Sequence, residues 1–164
     1  MQFSRQSAGP TESDHELTIA PMSVPDVSAV HAILKQSPEA SMWSEASLLE
    51  STSMGTAWVA RMNGTVAGIL IGRGAADEFE ILNMAVGIMW RRRKVATRLV
   101  EAALERARFA GARKAYLEVR ASNEGGISFY KRMGFQETGR RPDYYARPRE
   151  DAVLLVLKLK GTDP

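Results

Sequence analysis

Apolar and polar positions alternate along this chain in two rhythms, and each rhythm predicts its own kind of element. Leu17 to Ala20 reads as a short strand stopped by Pro21. From Pro25 to Lys35 the apolar positions Val27, Val30, Ile33 and Leu34 recur at helical spacing, with Pro25 in the first turn, where its missing N–H removes no bond. Ser37-Pro38 breaks that helix, and Ser44 is placed to cap a second, short one over Glu45–Glu50. Thr56 to Met62 alternates with period two, and Asn63-Gly64 then supplies the strongest hairpin signal in the chain. Val66–Gly72 and Phe79–Val86 continue as strands. Arg92 to Ala110 predicts the longest helix, with Ala96, Leu99, Val100, Ala103, Ala107 and Ala110 on one stripe and Gly111 as its stop. Ala115, Leu117 and Val119 alternate with Tyr116, Glu118 and Arg120, a strand with two unlike faces. Asn123 caps a helix to about Met133, closed by Gly134; the stretch from Phe135 and Asp151–Leu159 form a last strand pair. No repeat or low-complexity segment interrupts the order.

That order predicts an α/β fold with a mixed, mostly antiparallel sheet flanked by helices. Its centre, strand 79–86, helix 92–110 and strand 115–120, has the lengths of a right-handed βαβ crossover. A ligand is expected past the carboxyl end of the first strand, at the helix N-terminus. Length changes the picture little: 164 residues suit one domain, read here as residues 17–160 behind a mobile tail over 1–16 rich in Ser, Gly, Gln and charge. The charge excess is only +3 (22 − 19), too small to make nucleic acid the main partner. Cysteine is absent, which excludes disulfides, thiolate zinc sites and a cysteine nucleophile; two histidines leave little for a metal site, and none is expected. The longest apolar run, Ala152–Leu157, falls far short of the roughly 20 residues of a membrane span. Met1–Glu16 has no apolar signal core, so the expected location is cytoplasmic.

The predicted ligand position holds Arg91-Arg92-Arg93-Lys94 followed by Val95-Ala96-Thr97. Helix-opening amides without intrahelical partners, the positive helix end and nearby cations together make a phosphate site. From the residues alone, the same run also reads as a solvated basic face or a nucleic-acid patch. Glu118 suits a general base but reads equally as an ion-paired strand residue. Tyr130 suits a general acid but reads equally as a half-buried aromatic beside Phe129.

Strand, then Arg91-x-x-Lys94-x-Ala96, then helix resembles the acyl-CoA signature of the GNAT superfamily, Gln/Arg-x-x-Gly-x-Gly/Ala. The block Leu117-Glu118-Val119-Arg120-Ala121-Ser122-Asn123, with Ile127-Ser128-Phe129-Tyr130 and Met133-Gly134-Phe135, is similar to the RimI branch, which acetylates the N-terminal alanine of a small-subunit ribosomal protein. Trp43-Ser44-Glu45, Asn83 to Val86, and Arg140 to Tyr145 with Glu150-Asp151-Ala152 fit the same branch, so the similarity spans roughly 17–160. The resemblance implies a GNAT fold with a βαβ acyl-CoA core and direct transfer from acetyl-CoA to a protein α-amine. Glu118 would be the base and Tyr130 the acid. Met84, Ala85 and Val86, the run Arg91–Thr97 and Asn123 would hold the cosubstrate, and Trp43, Tyr144 and Tyr145 would border the acceptor. Neither nucleic acid nor membrane is an expected partner.

Two departures and two rivals accompany that reading. Lys94 stands where the signature has glycine; lysine suits right-handed helical geometry, so its ammonium is expected to compensate by meeting a phosphate, and Lys94→Gly to weaken binding a few-fold at low salt. Gly125-Gly126 lowers helix propensity where the family often has alanine. The rivals are a related enzyme acting on a lysine side chain or small amine, and a CoA- or ribosome-binding module without catalysis.

Overall fold

The computed structural model describes residues 16–161. Its elements follow the predicted order: β1 (Leu17–Pro21), α1 (Val27–Lys35), α2 (Glu45–Met54), β2 (Ala57–Met62), β3 (Thr65–Ala75), β4 (Glu78–Val86), α3 (Val95–Phe109), β5 (Lys114–Arg120), α4 (Glu124–Arg132), β6 (Gln136–Ala146) and β7 (Arg149–Lys158). The expected tail lies outside the described residues, except for Glu16. Local chemistry explains most boundaries. Asn63 and Gly64 both have positive φ, the requirement of a tight two-residue hairpin between β2 and β3. Ser44 Oγ accepts the Ser47 N–H at 3.1 Å and starts α2. The first helix opens differently from the expectation: Val24–Asp26 form a 3₁₀ turn, and the Asp26 carboxylate takes the Ser23 N–H at 2.9 Å and Arg61 at 2.7 Å.

The seven strands lie in the order β1-β2-β3-β4-β5-β7-β6. Every neighbouring pair is antiparallel except β4–β5, which α3 joins as the expected crossover. On one face α3 buries Val95, Leu99, Val100, Ala103, Leu104 and Ala107 in a core shared with Tyr130 and Phe135. On the other, Val30, Ile33, Leu34 and Leu48 from α1 and α2 cover Val59, Ile69, Ile71 and Ala85. Full burial of each such Leu or Ile contributes about 1.5–3 kcal/mol relative to exposure. Gly68 sets how closely α3 approaches the sheet: a Cβ there would lie 3.0 Å from Val95 Cγ1 and 3.1 Å from Leu99 Cδ1. Two of the alanines predicted on the α3 stripe leave it. Ala110 is exposed at the C-terminal end, and Ala96 is only half-buried, while Leu104 joins the core instead. No helix among the described residues is long and apolar enough to cross a membrane, and no three His, Asp or Glu side chains among them are grouped as for a metal ion.

Candidate active site

The site begins with one unmatched residue in β4. Ile71 of β3 pairs with Asn83 and Gly72 pairs with Ile81, which leaves Leu82 as a bulge. A bulge bends its strand and sharpens the local twist. On the far side, β4 and β5 pair only over Glu78–Ile81 and Lys114–Leu117, although β4 runs on to Val86 and β5 to Arg120. The strands part beyond that point. Met84, Ala85 and Val86 keep their β3 partners but have none on β5, so their outward backbone groups face a cleft of about 700 Å³. Buried Asn83 donates from Nδ2 to the Ser41 carbonyl at 2.7 Å, drawing the loop before α2 across the cleft mouth.

Unpaired backbone donors and cations collect at the start of α3. The first backbone amide there with an intrahelical acceptor is Arg98, bonded to the Lys94 carbonyl at 3.0 Å, and the Lys94 side chain caps nothing. The amides of Val95, Ala96 and Thr97 therefore present donors at the positive helix end. Arg91, Arg92 and Ala96 line the cleft; Arg91 donates to the Val86 carbonyl at 3.3 Å and to Glu39 at 3.1 Å. Arg93 packs instead over the Trp90 ring at 5.6 Å and the Val95 side chain is core; these two, Lys94 and Thr97 do not line the cleft.

Here the sequence expectation needs correction. The helix starts at Val95, not Arg92, because Arg92 (φ 61°) and Lys94 (φ 60°, ψ 16°) are both left-handed. Lys94 thus lacks the right-handed geometry expected of it. The signature's glycine matches a backbone requirement, and left-handed geometry costs an L-residue with a Cβ roughly 1–2 kcal/mol. Lys94→Gly is therefore expected to stabilise the fold by about 0.5–1 kcal/mol after glycine's larger unfolded-state entropy is counted. A differential melt should show this as a rise of roughly 1–4 °C. Any accompanying loss of cosubstrate affinity should be confined to low salt, where an exposed ammonium still matters.

Glu118 and Tyr130 line the same cleft from different elements. Strand alternation turns Glu118 away from buried Leu117 and Val119, and its side chain is 12% exposed. Its Oε1 is ion-paired with Arg141, 2.8 Å from Nε. Asn123 Oδ1 takes the Gly126 N–H at 2.9 Å, starting α4 and bringing Tyr130 round under β4. That cap depends on Gly126, since a Cβ there would lie 2.6 Å from Asn123 Nδ2. Asn123 itself also lines the cleft. Tyr130 packs edge-on against Phe129 and Phe135, and its hydroxyl lies 3.9 Å from Met84 Sδ. Burial pushes the phenol well above the ordinary tyrosine range, so it stays neutral and holds its proton.

From β6, Tyr145 lines the cleft, whereas Tyr144 and Arg141 stand beside it rather than in its lining. Between Arg141, opposite Ala152, and Tyr145, opposite Glu150, the strand carries extra residues that bulge outward, with Asp143 left-handed. This bulge presents Tyr144 and Tyr145 edge-to-face, 5.1 Å apart. Interaction with the Glu118 carboxylate raises the phenol pKa of Tyr144; burial and then the Glu118 charge raise that of Tyr145. Tyr145 lines the cleft with Arg120 stacked 4.1 Å over its ring. Arg120 also donates to the carbonyls of Arg147 and Pro148, both at 3.2 Å, pinning the β6–β7 turn. Trp43 stands apart: it packs on the core beneath α1 and α2, and Glu39, Ala40 and Ser41 line the cleft in its place. These three and Arg141 were missed as individual site residues. The legible signal was Asn83, a lone amide in an apolar strand that must find a buried partner.

The cleft fits a thiol ester carrier with a phosphate end. Unpaired strand backbone suits an amide-bearing arm, and uncapped helix amides with two arginines suit pyrophosphate. The Acetyltransferase (GNAT) family profile matches residues 27–135. The [ribosomal protein bS18]-alanine N-acetyltransferase of Escherichia coli K12 is 30% identical over 147 residues, covering 87% of this chain and 97% of that protein. Ard1 from Thermoplasma volcanium superposes with a TM-score of 0.81 at 28% identity, covering 88% of this chain and 98% of that one. The ribosomal-protein-S18-alanine N-acetyltransferase structure from Escherichia coli gives 0.76 at 27% identity, covering 91% and 99%.

Proposed function

The chain belongs to the acetyltransferase (GNAT) family of acetyl-CoA-dependent N-acetyltransferases, and from that premise we propose that it acetylates the α-amine of a protein beginning with alanine. Its natural acceptor on this reading is a ribosomal protein met in the cytoplasm, and residues 17–160 are the catalytic domain. One observation carries the proposal: Glu118 and Tyr130 open into the single cleft formed where β4 leaves β5. The similarity to a bS18-alanine enzyme supports the choice of acceptor.

Acetyl-CoA supplies an acyl thioester whose carbonyl carbon is electrophilic. The backbone of Met84–Val86 and the opening amides of α3, with Arg91 and Arg92, hold and orient it, and a strand N–H polarises the carbonyl. An α-amine has a pKa near 7.7–8.0, so a large share arrives as ammonium and needs a base. Glu118 accepts that proton directly or through one water. The amine nitrogen then bonds to the acetyl carbon as the carbon–sulfur bond breaks. The departing electron pair stays on sulfur, and Tyr130 donates its proton there. The second proton that the nitrogen sheds passes to solvent, from which Tyr130 is reprotonated. Tyr144 and Tyr145 border the entering peptide.

The test is acetyl-CoA turnover against a peptide starting with alanine and an N-terminally blocked peptide containing lysine, followed by mass spectrometry. Acetylation of the alanine α-amine with little labelling of lysine is expected. Preferential lysine labelling overturns the assignment of the acceptor and leaves the chemistry in place.

A further inference from the structure

Glu118 faces the cleft already ion-paired. Arg141 pairs with it, Nε 2.8 Å from Oε1, and Tyr144 stands beside that guanidinium. The two partners of the ion pair differ sharply in environment: the Glu118 side chain is 12% exposed and that of Arg141 59%. Arg141 lies at the edge of the β6 bulge, with its guanidinium carbon 5.6 Å from the Tyr144 ring centre. A guanidinium has five N–H donors in a rigid fork. Nε faces Glu118, and among the described residues the Nη groups meet no hydrogen-bond acceptor. Directional donors are thus held beside the carboxylate that receives the acceptor's proton.

An N-terminal α-amine differs from a lysine ε-amine in one respect that such a fork reads directly. Its first-residue carbonyl lies two bonds away, whereas an ε-amine has only methylenes nearby. We propose that Arg141 is a specificity-determining residue whose Nη–H groups donate to the carbonyl oxygen of the acceptor's first residue, thereby selecting α-amines over side-chain amines. This rests on the N-terminal acetyltransferase reading above. The fork stays ion-paired by its other edge to Glu118, so acceptor carbonyl, guanidinium and carboxylate lie in one line of polar contacts. An amine without the carbonyl meets the same cation with nothing to offer it, and competes with it for Glu118.

The experiment measures kcat/KM for wild type and Arg141→Ala with an alanine peptide, with the same peptide carrying a thioamide at its first or second carbonyl, and with an N-blocked lysine peptide. Sulfur is a weak hydrogen-bond acceptor. The first-position thioamide is therefore expected to cost wild type about tenfold and Arg141→Ala less than about twofold, the range of one charged hydrogen bond. The second-position thioamide should leave wild type nearly unchanged. Arg141→Ala should also reduce the preference for alanine α-amine over lysine, with the lysine rate not falling. Equal thioamide losses in both enzymes, or no first-position loss in wild type, overturn the proposal. Should the variant fail to fold, the first-against-second comparison in wild type decides alone. If wild type acetylates other amines but no alanine peptide, the acceptor reading itself fails and this inference falls with it.

Discussion

Glu118→Gln is expected to lower kcat/KM for an alanine peptide by about 10²–10⁴-fold at neutral pH, the contribution of a positioned general base. The substitution keeps the shape of the side chain and removes only its capacity to take a proton. The fold should survive it, because the lost ion pair with Arg141 joins a mostly exposed guanidinium to the carboxylate, and such pairs contribute at most about 1 kcal/mol. The pH dependence separates this role from a binding one. Below the amine's pKa of about 7.7–8.0 the acceptor is mainly ammonium and the deficit is full; above it free amine accumulates and the deficit shrinks. The decisive measurement is kcat/KM of both proteins from about pH 6.5 to 9.5, spanning that pKa. A deficit constant across that range reassigns proton removal to water or another residue.

Tyr130→Phe should lower kcat by about 10²-fold, the lower end for a lost general acid, while acetyl-CoA binding persists. Phenylalanine preserves the edge-on packing against Phe129 and Phe135 and gives up only a long contact with Met84 sulfur. Burial raises the phenol's pKa, so the sign of the pH effect is fixed. The proton remains in place through the range where an ordinary tyrosine, with a pKa near 10, would lose it. Wild-type kcat should consequently show no alkaline fall from this group up to about pH 10. Calorimetric titration with acetyl-CoA, paired with single-turnover rates, distinguishes the cases. Weak binding with normal chemistry in the bound state would make Tyr130 a binding residue instead.

The sequence made the order of elements legible because period-two and helical patterns rarely overlap here. Asn63-Gly64, Ser44 and Asn123 each carry local chemistry that acts without tertiary help. Geometry arising between elements was hidden. Nothing in Glu-Ile-Leu-Asn-Met announces that Leu82 will lack a partner, since a bulge is a property of two strands. The start of α3 was misread for a related reason: a run of good helix formers gives no hint that Arg92 and Lys94 will be left-handed. Glu118 and Tyr130 were legible as candidates through their alternation and spacing. Their shared cleft depends on two strands diverging, and the guanidinium over Glu118 depends on a bulge in a third.

The short junction between β4 and β5 has a consequence for how long the protein lasts. Only four residue pairs join the meander β1–β4 to the strands β5, β7 and β6 within the sheet. A ligand seated in the gap beyond them touches both sides and acts as a missing length of seam. Any molecule that binds only the folded state raises its stability by mass action, by about 2.7 kcal/mol at a hundredfold excess over its dissociation constant. Bound acetyl-CoA is therefore expected to add protection against proteolysis along that line, beyond the core through which α3 already joins both groups of strands.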